Sequence, residues 1–485
     1  MKNLTTGSPI RLLTLFTLPL LLGNLFQQAY QFTDAIVVGQ LIGIEGLAAV
    51  GAGGSLIFLL MGLVWGSSSG LAIPISKAFG AHDMAGVRRA VAGGAYVALG
   101  VGAFITFVGL VFGQPLLRLI GTPEEVFAGT WAYLAITFGG AITAVAFNYL
   151  SAAIRAVGDS KTPLYFLIAA SILNAILVVL FVGVWHLGLA GAAATTIVSQ
   201  GAASLACVWL VKKRFPTLLP SRREWLTAKQ ASLDAARLGL PMGFQVSVMA
   251  IGAVVLQRAL NGLGTDAVAA FTAGIRVEQL ATTGLFSFGI AIITYVAQNR
   301  GAEQWRRIRK GVVQMTWAAA AIALASGVLI VIFANQLVSL FVIDDAPQVH
   351  ALAVQFLRIN GFTYWILAVK FILRGGIQGL GNTLIATICS IMELVSRAVA
   401  GLFLVSTFGF VAAVLATPVA WATAVIVLIP AWIHFRRGLL RNERESEALQ
   451  TALTIERSPR SHDDARDPHQ APGQAQQQQE PALQI

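Results

Sequence analysis

Apolar residues in this chain come in long unbroken runs rather than at alternate positions or along one helical stripe. Twelve runs recur, near 11–38, 47–74, 90–118, 127–153, 162–185, 188–211, 235–260, 267–297, 312–341, 349–374, 383–408 and 411–435. Each is long enough to cross the hydrocarbon of a bilayer as a tilted helix. Backbone groups in hydrocarbon must bond within the protein, and Gly/Ala-rich runs of this length suit helices better than barrel strands. The pattern predicts an all-α polytopic membrane protein. Pro216 and Pro220 break the sixth run, and from about Asn442 the apolar pattern gives way to Ser, Asp, Arg, Pro and Gln. The predicted organisation is a first lobe over 1–211, a basic linker over 212–234, a second lobe over 235–441 and a disordered tail over 442–485.

The runs also carry an internal repeat. Ile75-Ser-Lys-Ala-Phe-Gly80-Ala-His-Asp-Met-Ala-Gly-Val-Arg88-Arg89 returns as Val296-Ala-Gln-Asn-Arg-Gly301-Ala-Glu-Gln-Trp-Arg-Arg-Ile-Arg309-Lys310, and Gly80 and Gly301 lie 221 residues apart. Arg155-Ala-Val-Gly158-Asp-Ser and Gln378-Gly-Leu-Gly381-Asn-Thr are displaced by 223, and Pro19 and Pro241 by 222. A near-constant offset argues for a duplicated unit. Six spans per unit start both halves on the same side, so the halves are parallel repeats related by an axis along the membrane normal.

Composition agrees, with 56% hydrophobic residues and 11% charged. The net charge of +11 would suit nucleic acid, but its distribution excludes that partner. With the N-terminus inside, inward loops carry Lys77, Arg88, Arg89, Arg155, Lys161, seven bases from Lys212 to Arg237, five from Arg300 to Lys310, and Lys370 with Arg374. Outward loops hold Arg118 and Arg258 against the acids Glu45, Glu124, Glu125, Asp344 and Asp345. This positive-inside bias places both termini in the cytoplasm and the chain in the inner (plasma) membrane. The first run lacks a small-residue cleavage site and reads as a retained helix. Cys207 and Cys389 lie in apolar runs of different halves, which argues against a disulfide or metal site.

Polar residues inside the spans are the candidate chemistry. Asn24, Gln27, Gln28, Gln31 and Asp34 recur at spacings of three and four, so one face of the first helix is polar from mid-depth outward. Asp34 is the one carboxylate within the first-half spans, where a charge costs about 2.5–3.5 kcal/mol even on the permissive insertion scale. It implies a watery cavity, a hydrogen-bonding partner or protonation, and such a carboxyl can load a proton or bind Na⁺. Asn174, Thr195, Thr196, Ser199 and Gln200 supply neighbouring amides and hydroxyls, which can equally make plain interhelical hydrogen bonds. The second half has no counterpart of Asp34. It carries Arg276, Glu278, Arg358, Glu393 and Arg397, for which mutual neutralisation is the default and Glu278 the exception. Glu393 and Arg397, one turn apart, can pair on one face. Gly62, Gly66 and Gly70 form a small-residue ridge for close helix approach. The same stretch, Gly66-Ser-Ser68-Ser-Gly70, fits a hydrolase elbow pattern but lacks the strand-to-helix turn and triad that chemistry needs, so no enzyme is expected. No nucleotide-binding glycine loop, HExxH or CxxC appears. No cofactor is expected, and the energy is expected from an ion gradient or from a partner that this chain does not encode.

Pro19 through Gly53 with Phe-Thr-Asp34-Ala-Ile-Val-Val-Gly39, Ile75–Val91, Ala153–Pro163, the Asn174 segment, Val296–Val312 and Arg374–Thr383 together resemble the multidrug and toxic compound extrusion (MATE) family of the multidrug/oligosaccharidyl-lipid/polysaccharide exporter superfamily. The resemblance implies twelve helices in two six-helix lobes, monomeric, that export organic cations in exchange for H⁺ or Na⁺. It also implies that Asp34 couples the ion, beside Asn174 and Thr195 or Thr196, with Gln27, Gln31 and Glu278 expected on the substrate cavity. Where many members carry a second acid four residues after the helix-five Asn, this chain has Val178, and the stretches near Ala250 and Thr363 that hold second-lobe Na⁺ acids elsewhere are neutral. Both departures favour H⁺ over Na⁺. A lipid-linked oligosaccharide flippase or a flavin-like metabolite exporter of the same superfamily is the alternative reading.

Overall fold

The computed structural model describes residues 3–341 and 346–457; for 31–35, 44–45, 47, 450 and 452–457 only the backbone is described. The acids Asp344 and Asp345, and most of the predicted tail, lie outside the described residues. Met1–Leu440 form one compact unit; Arg441–Ile485 form a second, helical to Arg457, in which Arg441 Nε lies 3.6 Å from Glu445.

Among the described residues nine helices are long and apolar enough to cross a membrane. Two bent pairs add a span each, and a ninth stretch of 66 residues is too long for one crossing, at about 1.5 Å per residue. It is broken at Gly409, whose φ of 62° and ψ of −141° only glycine adopts readily. The result is twelve spans, as expected. They are α1 (Pro9–Ile42), α2 (Ile44–Gly80), α3 (Met84–Leu119), α4 (Glu124–Gly139 and Ala141–Ala156, bent by 47°), α5 (Lys161–Val178, extended by a π turn, Val179–Val184) and α6 (Gly188–Arg214). After a short linker helix (Arg222–Leu226) come α7 (Lys229–Asn261), α8 (Thr265–Gly301), α9 (Trp305–Ile332), α10 (Pro347–Gly361 and Tyr364–Gly379, bent by 48°), α11 (from Leu384 to the break) and α12 (410–440).

The core divides into two large clusters, one per half, and α1 and α7 change sides between them. Leu13, Phe16 and Leu20 near the start of α1 sit in the second-half core, whereas Val38 near its end sits in the first. Ala235 at the start of α7 belongs to the first-half core, and Leu256 and Leu260 near its end to the second. The equivalent prolines Pro19 and Pro241 fall inside these two crossing helices. Each lacks the amide proton for one backbone hydrogen bond of its helix, near where that helix passes from one lobe to the other.

The repeated motif is where the halves meet. A Cβ on Gly80 would overlap the Gln298 carbonyl, and a Cβ on Gly301 would overlap the Lys77 carbonyl. Residue 298 stands to 77 as 301 stands to 80, so the contact is reciprocal, as a twofold relation requires. The predicted small-residue ridge of α2 is buried against α7: Gly66 faces the backbone of Met242 and Gly243, and Gly70 that of Gly239. Ser68 lies inside this continuous helix and is buried, not on an elbow. At the other ends of the same helices each returns to its own lobe. Thr130 of α4 donates to Ala49 of α2 at 3.1 Å, and Gly252 of α7 faces Arg397 of α11. The lobes therefore meet at the end that carries the basic loops.

Candidate functional site

The polar face of α1 is satisfied in two directions. Toward the second lobe, Asn24 Nδ2 donates to Ser287 Oγ at 2.9 Å and Gln28 Nε2 to Thr283 Oγ1 at 2.5 Å, both on α8. Toward the first lobe, the Tyr30 hydroxyl lies 3.1 Å from Thr196 Oγ1 on α6. Gln27 is half-buried. Gln31 and Asp34 lie on the α1 helix, and their side chains are outside the described residues.

Asn174, Thr195 and Thr196 do come together. Asn174, 2% exposed, directs Nδ2 at Thr195 Oγ1 (3.3 Å) and Thr196 Oγ1 (3.4 Å). Thr195 itself donates to the Ala192 carbonyl at 2.7 Å, and Ser199 to the Thr195 carbonyl at 2.8 Å, so the α6 hydroxyls are anchored to their own backbone. A cavity of about 200 Å³ opens beside this knot, lined by Tyr30 and Val37 of α1 and by Ser171, Asn174 and Val178 of α5. Val178, where the family pattern often has an acid, makes that wall apolar. Tyr30 escaped the sequence reading, although it lies one turn before Asp34 on the same stripe and that spacing would have found it.

The second lobe holds a buried polar network of its own. Glu278 of α8 accepts from Asn360 Nδ2 of α10 at 2.7 Å, and Asn360 Oδ1 and the Tyr364 hydroxyl are buried without a hydrogen-bond partner. Lys370 and Glu393 form an ion pair of 3.1 Å between α10 and α11, each side chain 1% exposed. Gln245 of α7 accepts at Oε1 from Arg374 and, at 2.9 Å, from Gln378, and donates to Thr387 Oγ1 at 3.1 Å. Two sequence expectations change here. Lys370 and Arg374 are not loop cations but buried residues of α10, and Glu393 is paired with Lys370 rather than with its one-turn neighbour Arg397. Burying a lysine requires a counter-charge, and Glu393 supplies it from another helix.

Of the aromatics within the spans, Phe138 is fully buried and Tyr149 donates to the Val91 carbonyl at 2.6 Å, so both pack; Phe286 meets Phe371 edge-on at 5.8 Å. Among the described residues no group of three His, Cys, Asp or Glu could hold a metal ion.

Twelve apolar helices in two repeated lobes, with polar knots buried in each, are an architecture that secondary transporters share. The MatE family model matches residues 19–180 and 241–403, once in each half and beginning at the two equivalent prolines. The probable multidrug resistance protein YpnP of Bacillus subtilis (strain 168) is 31% identical over 79% of this chain and 85% of its own length. The probable multidrug resistance protein NorM of Thermotoga maritima is 25% identical over 76% of this chain and 79% of its own. A solved outward-facing multidrug resistance MATE transporter superposes with a TM-score of 0.83 at 23% identity, covering 90% of this chain and 99% of that one. The chain belongs to the MATE family of multidrug efflux transporters, multi-pass membrane proteins.

Proposed function

We propose that this protein is an antiporter of the inner membrane that exports amphiphilic, mainly cationic organic compounds in exchange for an ion, H⁺ rather than Na⁺, with both termini cytoplasmic. One observation carries the reading. The Asn174, Thr195, Thr196 and Tyr30 knot borders a cavity against α1, and of the four α1 residues that line it (Phe26, Ala29, Tyr30 and Val37) the last two bracket position 34 at spacings of four and three. The cavity has the Asn174 amide and the Tyr30 hydroxyl on its wall, Thr196 beside them and an apolar side at Val178, which supports an ion-coupling role for this part of the lobe.

In the cycle, ionised Asp34 helps hold a cationic substrate while the cavity faces the cytoplasm. After the lobes tilt outward, protonation of Asp34 removes the charge and releases the substrate, and proton loss inward resets the site. A ligand shifts a two-state equilibrium only through differential affinity for the states. A carboxyl whose pKa differs by about two units between them contributes about 2.7 kcal/mol. The relatives named as multidrug resistance proteins support the substrate class.

The test is Asp34→Asn. Drug resistance and drug-induced proton movement in everted vesicles are expected to vanish while the protein still inserts at normal abundance. Full export by this variant overturns the mechanism. Varying Na⁺ and pH separately in the same vesicles discriminates the coupling ion.

A further inference from the structure

The segment joining the two halves carries more positive charge than topology needs, and the transport cycle above makes no use of it. α6 ends in Lys212, Lys213 and Arg214, the linker helix begins with Arg222 and Arg223, and α7 opens with Lys229; all six side chains are exposed. Because α6 and α7 both span the membrane, these bases lie where the two helices leave it. Large apolar side chains are exposed among them: Trp209 at 61%, Leu226 at 78% and Leu233 at 47%. Lys213 Nζ sits 5.1 Å over the Trp209 ring, a cation laid along an apolar surface at the water boundary.

The linker helix is fixed in place. Ser221 caps it in a reciprocal capping box with Glu224. Arg88 Nε of α3 lies 2.6 Å from Glu224 Oε1, and Trp225 meets Tyr96 of α3 edge-on at 5.2 Å. These contacts engage the one acid of the helix from the α3 side and leave Arg222 and Arg223 exposed. The other nearby acid, Asp234, accepts from Gln230 at 3.2 Å.

We propose that this linker binds the phosphate-bearing headgroups of anionic phospholipids. Lys213, Arg222 and Arg223 hold the headgroup charge, and Trp209 and Leu226 enter the boundary between headgroups and acyl chains. A soluble anion would use the charge but not the apolar side chains; a zwitterionic lipid would use the apolar side chains but gain little from the charge. The combination selects an anionic lipid. The site also lies on the only covalent connection between the halves, so a lipid bound there touches the segment that must shift as the lobes tilt.

The experiment is equilibrium binding of phosphatidylglycerol and of phosphatidylcholine to the purified full-length protein, read by native mass spectrometry at two salt concentrations. Phosphatidylglycerol is expected to bind more tightly, and less so at high salt. Each base contributes about fivefold (about 1 kcal/mol), so Lys213→Gln/Arg222→Gln/Arg223→Gln is expected to lose well over tenfold. Arg222→Lys/Arg223→Lys keeps the affinity, as does Arg118→Gln/Arg258→Gln at the opposite membrane face. Equal affinity for the two lipids, an unchanged triple variant, or an equal loss in the opposite-face variant overturns the proposal. Displacement by inorganic phosphate at lipid-equivalent concentration overturns it in favour of a soluble-anion site. If the triple variant is not recovered, salt-independent phosphatidylglycerol binding to the natural protein overturns it. The readout needs no transport, so it stands or falls separately from the antiport mechanism.

Discussion

At the scale of single residues, Lys370 and Glu393 bear the sharpest energetic consequence. Glu393 Oε2 meets Lys370 Nζ, while Glu393 Oε1 is buried with no hydrogen-bond partner. Removing one member leaves the other charge buried without its partner, a loss of about 3–5 kcal/mol for buried pairs. Lys370→Met and Glu393→Gln are each expected to lower the thermal midpoint of the purified protein strongly. The double variant should lose less than the sum, with a coupling of about 1–3 kcal/mol. Strictly additive losses would mean the two side chains do not stabilise one another. This pair was not legible in the chain, because the partners are 23 residues apart on different helices and only packing brings them together. Asn174 and Thr195 were legible for the opposite reason: polar side chains in an apolar run must find partners inside the protein, and their own lobe was the nearest source.

At the scale of elements, the linker helix shows how one local ion pair positions a segment. Burial alone would raise the Glu224 carboxyl, but hydrogen bonds from the Ser221 backbone and from Arg88 outweigh it and hold Glu224 below the usual carboxylate range. A carboxyl with a lowered folded-state pKa adds stability that is fully present above its unfolded value, about 4.3. That stability fades as pH falls through the lower, folded value. A spin label at Leu226→Cys, an exposed position on this helix, should therefore report an ordered helix at neutral pH. Its mobility should rise only once the medium is more acidic than an ordinary glutamate requires. In Arg88→Ala the rise should come at higher pH. Mobility that increases on going from acid to neutral pH would contradict the sign. The helix starts and stops followed the apolar pattern because length and hydropathy are local properties. The bends within α4 and α10, and the crossing of α1 and α7 between lobes, depend on neighbours and left no trace beyond the two equivalent prolines.

At the scale of the whole transporter, the offset of the repeat turns out to be a contact rule. Gly80 and Gly301 touch each other's motifs reciprocally, so the duplicated sentence in the chain is the seam at which the lobes close. Gln298 reinforces that seam, donating to the Ala156 carbonyl of the first lobe at 2.8 Å and accepting from the Leu4 backbone at 3.0 Å. Farther along, the Ser247 hydroxyl of α7 donates to the Leu59 carbonyl of α2 at 2.9 Å. In the proposed alternating-access cycle this seam opens once per cycle to let substrate pass between the lobes. Locking it should stop transport without unfolding either lobe, because each lobe has its own core. Leu59→Cys/Ser247→Cys bridged by a short, reducible bifunctional thiol reagent provides the lock. Cys207 and Cys389 are fully buried and give little background. Export in everted vesicles is expected to cease on bridging and to return on reduction, with each single-cysteine variant unaffected by the reagent. Undiminished export by the bridged protein would show that the two halves need not part here, and that substrate crosses by a path other than between the lobes.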